Sequence, residues 1–266
     1  MDRARLTITL KPDLLKQVDR TVDGARVRSR SHAIELLLGQ ALAAESIPVL
    51  ILAGGKTTKN GNEEMPKALI AADGEPVLAH TLTRLERCGF HEAVVSASAA
   101  GGSKIQTWHD AHARDQVSLE YREQPKGVHG TAAAVRGAFP AIGRSVFVVQ
   151  YGDVFADIDY TELMQFHRAH RGLATVALTS VEQTSMWGVA TMQGSRVVDF
   201  TEKPKASAGK LSHLVNAGIY VLEPQAVDLI PSGSGSIEQT LFPRLAQEGR
   251  LYGYPFEGEW WDVGTQ

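Results

Sequence analysis

Two aspartates far apart in the chain each end an apolar run: Asp153 in SVFVVQYGD and Asp262 in EWWDVGT. Alone, each reads as a turn residue, because an Asp side chain readily hydrogen-bonds its own backbone. Together they are two hard oxygen ligands. A Mg2+ ion carrying a nucleoside triphosphate asks this of a protein: few carboxylates, with phosphates supplying the rest. Two more segments suit such a ligand. Residues 48–69, PVLILAGGKTTKNGNEEMPKAL, run apolar through Ala53 and break at Gly54-Gly55. They then cross a loop bearing Lys56 and Lys59 and close on Lys67. Glycines after a buried strand let backbone N–H groups approach a phosphate, and lysines add positive field. A strand followed by two glycines is also an ordinary α/β turn, so the stretch counts only beside the others. Residues 123–132, EQPKGVHGTA, lead into an alanine-rich helix. Gln124 offers a donor and an acceptor suited to a base edge. Gly130-Thr131 puts bare N–H groups at a helix start, where an anion or a base carbonyl can bind.

These segments need a scaffold that gathers strand ends. From residue 47 onward, strand-like runs alternate with helical ones: PVLILA then VLAHTLTRLERCG, EAVVSAS then SKIQTWHDAHAR, VSLEYRE then GTAAAVRGAF, SVFVVQY then YTELMQFHRAHR, then LATVALTS. That rhythm predicts a mainly parallel sheet with helices on both faces. After Ser180, WGVATMQG, RVVDFTEK, LVNAGIYVL and RLYGYPF predict an antiparallel extension, with one helix near 236–247. Ligands in open α/β sheets bind at the carboxyl ends of strands, where all four segments fall.

The bulk properties narrow the class. The chain has 266 residues, 43% hydrophobic and 21% charged, as a globular protein does. No apolar stretch nears the roughly 20 residues of a membrane span, and residues 1–13 lack a secretory apolar core. The single cysteine, Cys88, has no intrachain partner and fits a reducing cytoplasm as a packed thiol. His109 with His112 and His167 with His170 have metal-compatible spacing, but no carboxylate or cysteine completes a set, so solvated helix surface is the expectation. Residues 1–46 hold eight basic and six acidic residues, and the remainder 19 and 24. The acidic remainder argues against a nucleic-acid surface there; the basic head permits one.

The head, residues 1–46, predicts one strand and two helices. Residues 5–10, RLTITL, alternate at period two, with Arg5, Thr7 and Thr9 outward. Pro12 suits a first helical position, Gly24 a stop, and Ser29 and Ser31 a second helix start. So short a unit cannot bury its apolar faces alone, which favours a dimer with the two strands paired. This head resembles the ribbon-helix-helix DNA-binding family through RLTITL, PDLLKQVD and RSRSHAI. The resemblance implies base contacts from Arg5, Thr7 and Thr9 and a phosphate clamp at Ser29, Arg30 and Ser31 on double-stranded DNA. The alternative is an oligomerisation unit with no DNA role.

The body, residues 47–266, resembles the sugar-1-phosphate nucleotidyltransferases, a Rossmann-like α/β family. Six motifs in order carry the resemblance: LAGG…MPKALI, EQPKGVHGTAAAV, YGD, GVATMQGSRVVDFTEKP, VNAGIYVL and WWDVGT. It implies a nucleotide site with Ala53, Gly54, Gly55, Lys56, Gln124, Gly130 and Thr131. It implies a sugar site with Gly188, Glu202, Asn216 and Gly218, and Mg2+ held by Asp153 and Asp262. Lys67 would approach the phosphates and Lys203 the sugar phosphate, with Lys59 at the position of the family's loop arginine. One departure stands out, since KTTK occupies the place of the family's KGTR. Lysine keeps the charge but loses the planar fork that grips two phosphate oxygens. Two functions follow. The first is a DNA-binding regulator whose body senses a nucleotide or sugar nucleotide with weakened or absent catalysis. The second is an active sugar-1-phosphate nucleotidyltransferase with the head used for dimerisation or autoregulation.

Overall fold

The computed structural model describes residues 7–24, 27–44, 47–55, 57–60, 63–112, 117–124, 127, 129–143, 145–205, 212–233 and 235–264. It divides into two compact units, Met1–Ser46 and Ile47–Gln266.

In the first unit, helix α1 spans Pro12–Thr21 and helix α2 spans Arg30–Ala44. Pro12 stands in the first turn, where its missing N–H costs nothing. Asp13 near the start and Arg20 near the end match the helix dipole. The Ser29 hydroxyl oxygen accepts the His32 N–H at 3.2 Å and opens α2. Val18 and Ala33 are buried, while Ile8, Leu14, Leu36, Leu37 and Leu38 are exposed. The expected strand differs from what forms: residues 7–10 carry no strand, and Arg5 lies outside the described residues. A lone strand has no partner for its N–H and C=O groups within a single βαα unit. Arg30, expected on a phosphate, instead grips Asp19 through Nε at 2.6 Å and Nη2 at 2.9 Å, tying α2 to α1. That hydrogen bonding holds the Asp19 carboxyl below the usual carboxylate range.

In the second unit, β1 (Val49–Leu52) is buried at all four residues, as expected of a central strand covered on both faces. It pairs in parallel with β6 (Glu92–Ala97) and with β8 (Phe147–Tyr151). Between β1 and β6 the chain forms a small hairpin, β2 (Thr58–Asn60) with β3 (Glu63–Met65). A second hairpin, β4 (Ala71–Ala72) with β5 (Glu75–Pro76), precedes helix α3 (Val77–Arg87). Helix α4 (Ala99–Ala111) leads to β7 (Ser118–Glu123), which adds in parallel to β6. Helix α5 (Thr131–Ile142) connects to β8, the short strand β9 (Val154–Ala156) and helix α6 (Tyr160–His170).

The remaining strands make the sheet mixed. They are β10 (Ala174–Ser180), β11 (Gly188–Gln193), β12 (Arg196–Glu202), β13 (Leu214–Leu222), β14 (Leu251–Pro255) and β15 (Trp260–Asp262), with helices α7 (Pro224–Asp228) and α8 (Ile237–Gln247) between β13 and β14. Nine strands run in the order β10-β14-β12-β11-β13-β8-β1-β6-β7. The parallel block is β8-β1-β6-β7. Strand β10, grouped by the sequence rhythm with that block, instead lies antiparallel to β13 and parallel to β14. Strand β13 joins the halves by pairing antiparallel with β8. One continuous core includes Leu50, Leu52, Val135, Phe147, Tyr220 and Phe242. The pleat sends Leu50 and Leu52 to that face and Val49 and Ile51 to the other.

His167 departs from its expected surface position. It is 1% exposed on α6, with Nδ1 2.8 Å from the Thr175 hydroxyl and Nε2 3.2 Å from Glu223 Oε1. Burial pushes its pKa down. Its spacing from His170 reflects packing of the α6 inner face rather than ligation.

Candidate active site

Asp153 sits in the two-residue turn between β8 and β9. Gln150, fully buried, braces that turn: its Nε2 donates to the carbonyls of Tyr151 and Val154, both at 2.9 Å, and its Oε1 accepts the Tyr160 hydroxyl at 2.8 Å. Gly152 passes close to β1, so a Cβ there would lie 3.2 Å from the Leu52 carbonyl oxygen. Strand β15 pairs antiparallel with β9 and sets Asp262 opposite Val154, and the Val263 N–H donates to the Asp153 carbonyl at 3.0 Å. This short ladder brings together two aspartates 109 positions apart.

Lys67 opens a 3-10 turn over Lys67–Leu69, and its Nζ lies 3.4 Å from Asp153 Oδ2. A Cβ built on Gly264 would stand 2.6 Å from Lys67 Nζ, 2.9 Å from Asp262 Oδ1 and 3.4 Å from Asp153 Oδ2. The three charged groups therefore converge on one small gap that a glycine leaves open. Burial, and secondarily the Asp262 charge, pushes the Asp153 carboxyl up, against the pull of Lys67. Two facing carboxylates that resist sharing negative charge form a site that favours a cation. Among the described residues no group of three His, Cys, Asp or Glu side chains could hold a metal. The donor set fits a hard divalent ion that takes its other ligands from phosphate and water.

The pair opens on a cavity of about 520 Å³ that gathers most of the expected residues. Of the residues expected at a nucleotide and its phosphates, Ala53, Gly54, Gly55, Lys67, Gln124, Gly130 and Thr131 line it. Gln124 Nε2 donates to Ser96 Oγ at 3.2 Å, and a Cβ on Gly54 would overlap the Gln124 amide. Gly130 has φ +98°, and a Cβ there would overlap the Gly235 carbonyl. Lys56 lies outside the described residues. Lys59 is placed by its backbone in β2, in register with Glu64.

Of the residues expected at a sugar and its phosphate, Gly188, Glu202, Lys203, Asn216 and Gly218 line the cavity. A Cβ on Gly188 would lie 2.8 Å from Glu202 Oε2, so that glycine makes room for the carboxylate. Burial, and then the charge of Glu238, pushes the Glu202 carboxyl up to about 7, opposed by Lys203. Lys203 holds a left-handed φ of +46°. Asn216 Oδ1 accepts the Gly218 N–H at 2.8 Å and stabilises the NAG turn, where Gly218 has φ +75° against the Tyr151 ring.

The base of the cavity holds a residue absent from the sequence expectations. Glu238 is 4% exposed. Its Oε1 accepts the hydroxyls of Tyr151 and, at 2.9 Å, Tyr220; its Oε2 accepts Thr131 Oγ1 at 2.7 Å. The Thr131 hydroxyl in turn accepts the Ile237 N–H at 3.0 Å, so it braces α5 against α8. A glutamate in a first helical turn normally reads as a solvated dipole match, which hides it. The available signal was its spacing, since Glu238 shares a face with Leu241, Phe242 and Leu245, all buried. Trp187 and Trp260 also line the cavity, and Trp260 Nε1 donates to the Ala217 carbonyl at 3.1 Å.

The family model for nucleotidyl transferases matches residues 48–266. Mannose-1-phosphate guanyltransferase of Yarrowia lipolytica is 33% identical over 221 residues, and that of Saccharomyces cerevisiae is 31% identical over 222. Each alignment covers 81% of this chain, and the chain spans 60% of the length of each relative. Among solved structures, HddC from Yersinia pseudotuberculosis complexed with GMP-PN superposes with TM-score 0.68 at 21% identity, covering 82% of this chain and 94% of its own.

These relatives overturn the reading of the chain as a DNA-binding regulator with weakened or absent catalysis. Curated enzymes about 30% identical over the body are transferases. That reading rested on the altered loop and on the resemblance of the head to a DNA-binding family. The loop's Thr58-Lys59-Asn60 is taken up in a hairpin, while the acidic pair and the lysines Lys67 and Lys203 all remain at the cavity. The family match begins at residue 48 and lends no support to the DNA contacts assigned to Arg5, Thr7, Thr9, Ser29, Arg30 and Ser31.

Proposed function

The chain belongs to the nucleotidyl transferase family, and on that premise we propose that its body is an active sugar-1-phosphate nucleotidyltransferase, with GTP and mannose 1-phosphate as the preferred pair. The observation that carries the reaction is the convergence of Lys67, Asp153, Asp262, Glu202 and Lys203 on one cavity. The guanylyl and mannosyl preference rests on the activity named for the yeast relatives.

A phosphate oxygen of the sugar 1-phosphate attacks the α-phosphorus of the nucleoside triphosphate in line. The bond from the α-phosphorus to the bridging oxygen breaks, and pyrophosphate leaves with that electron pair. No covalent enzyme intermediate is needed, so positioning and charge neutralisation carry the rate. Asp153 and Asp262 would hold Mg2+, which supplies charge neutralisation across the phosphates. Lys67, held beside Asp153, meets the phosphates from the nucleotide side. Lys203 meets the phosphate of the incoming sugar. Gln124 and the N–H groups at Gly130-Thr131 face the base, while Ala53, Gly54 and Gly55 lie along the triphosphate. Glu202, Asn216, Gly188 and Gly218 receive the sugar, with the Glu202 carboxylate accepting from its hydroxyls. A panel of GTP, ATP, UTP and dTTP against mannose 1-phosphate and glucose 1-phosphate tests the preference. GTP with mannose 1-phosphate should give the highest kcat/KM; a preference at least tenfold for another pair reassigns base or sugar.

The head serves dimerisation in this proposal. Its exposed Leu14, Leu36, Leu37 and Leu38 are the support. Sedimentation of the full chain should give a dimer that Leu37→Glu weakens; a monomer in the unaltered chain contradicts this.

A further inference from the structure

The loop between β10 and β11 contributes one side chain that the transfer reaction as set out above does not use. Trp187 Nε1 donates a hydrogen bond to Asp262 Oδ2 at 3.2 Å. The other oxygen of the same carboxylate, Oδ1, accepts the Gly264 N–H at 2.7 Å. An N–H on each oxygen fixes the plane of the carboxylate. The Trp187 backbone serves a second partner, its carbonyl accepting the Lys203 N–H at 3.1 Å. Lys203 is held at φ +46°, a conformation that a non-glycine residue keeps only when its surroundings impose it. The indole itself is set by a T-shaped contact with Trp260, centroids 5.5 Å apart, and by the Trp187 N–H donating to the Thr184 carbonyl at 3.2 Å.

We propose that Trp187 is a positioning residue of the transfer site: its indole N–H orients Asp262 for the divalent cation, and its carbonyl holds Lys203 toward the sugar phosphate. One residue thereby links the metal corner to the sugar-phosphate lysine. Neither function needs Trp187 to touch substrate. The two contacts come from different parts of the residue, so they separate experimentally. Phenylalanine keeps the backbone carbonyl and a ring against Trp260 but has no N–H. Outer-shell partners of metal ligands typically carry about 10–100-fold in metal affinity.

The inference rests on the reading of Asp153 and Asp262 as the metal carboxylates, and its test separates the two. Mn2+ binding to the full-length chain, followed by loss of the free-ion electron paramagnetic resonance signal, is compared for the unaltered protein, Asp153→Asn and Trp187→Phe. Both variants should raise the half-saturating Mn2+ concentration, Trp187→Phe by about tenfold or more. Trp187→Phe should leave the KM for sugar 1-phosphate within twofold, because the contact to Lys203 survives. If Asp153→Asn weakens Mn2+ and Trp187→Phe does not, the role of Trp187 is refuted and the metal site stands. If neither weakens it, the metal site itself is refuted. The unaltered chain gives a readout that no folding defect can obscure. The indole N–H resonance of Trp187 should move on adding Mg2+; a resonance unmoved while Mg2+ saturates the protein overturns the proposal.

Discussion

Lys67 Nζ lies 3.4 Å from Asp153 Oδ2, so a lysine from the loop after β1 and a carboxylate from the turn after β8 form one unit. The pair is partly buried and faces the cavity. Without the lysine, Asp153 would meet Asp262 unopposed, and its carboxyl would rise further. Lys67→Met and Asp153→Asn should therefore each lower kcat by roughly 10²–10³, the range seen when one preorganised charge contact is lost. The double variant should lose less than the product of the singles, since both remove the same contact. Steady-state kinetics of the four proteins checks this, and fully multiplicative losses would show that the pair does not act as a unit.

Gly54 touches the nucleotide side in a way that can be isolated. A Cβ there overlaps the amide end of Gln124, a flexible group that can swing aside. Gly54→Ala should fold with a Tm within a few degrees of the parent and raise the KM for the nucleoside triphosphate severalfold, because Gln124 is displaced from the base side. Thermal melting and substrate titration together check it. An unchanged KM would remove Gln124 from the base site.

Glu202 makes stability depend on pH. Its carboxyl is pushed from 4.5 to about 7, first by burial and then by Glu238. Between those values the folded chain binds a proton that the unfolded chain has released. Stability from this group is then present below pH 4.5 and declines as pH rises through 7, with a slope of at most about 1.4 kcal/mol per pH unit. Glu202→Gln should flatten that part of the profile. Urea denaturation at pH 5, 6, 7 and 8 reads the slope directly, and an identical slope in the variant would contradict the assignment.

Much of this site is legible in the sequence. The run Val49–Leu52 with Gly54-Gly55 behind it reads as a buried strand ending in a turn, and the strand is buried with the glycine pair at the cavity. Asp153 and Asp262 each close an apolar run, and both reach the cavity. What stayed hidden depends on long-range pairing. Nothing local says that β15 will ladder with β9, nor that β10 will leave the parallel block for β13. Trp187 looks like a loop aromatic until its N–H is seen on a carboxylate 75 positions away. His167 is hidden for another reason, since a histidine side chain suggests surface while its place on the inner face of α6 buries it.

Glu238 binds three hydroxyls at the cavity base, one of them from Thr131 at the start of α5. Glu238→Gln keeps the volume but presents an NH2 in place of one of the two accepting oxygens. The Thr131 hydroxyl already accepts the Ile237 N–H, so little room remains for that amide. The expected cost is about 1–3 kcal/mol of stability, with the Glu202 midpoint moving down because a neighbouring charge is gone. Denaturation and the pH profile of the variant check both parts. An unaltered Glu202 midpoint would mean that the two carboxylates do not interact.

Pyrophosphate release reports catalysis without reference to any single residue. The full chain, supplied with GTP, mannose 1-phosphate and Mg2+, should release pyrophosphate in step with GDP-mannose. Omitting the sugar phosphate should abolish release, and Asp153→Asn should cut it by at least about a hundredfold. Release no greater than that of Asp153→Asn, across the whole panel of triphosphates and sugar 1-phosphates, would contradict the assignment of this cavity as a nucleotidyltransferase site.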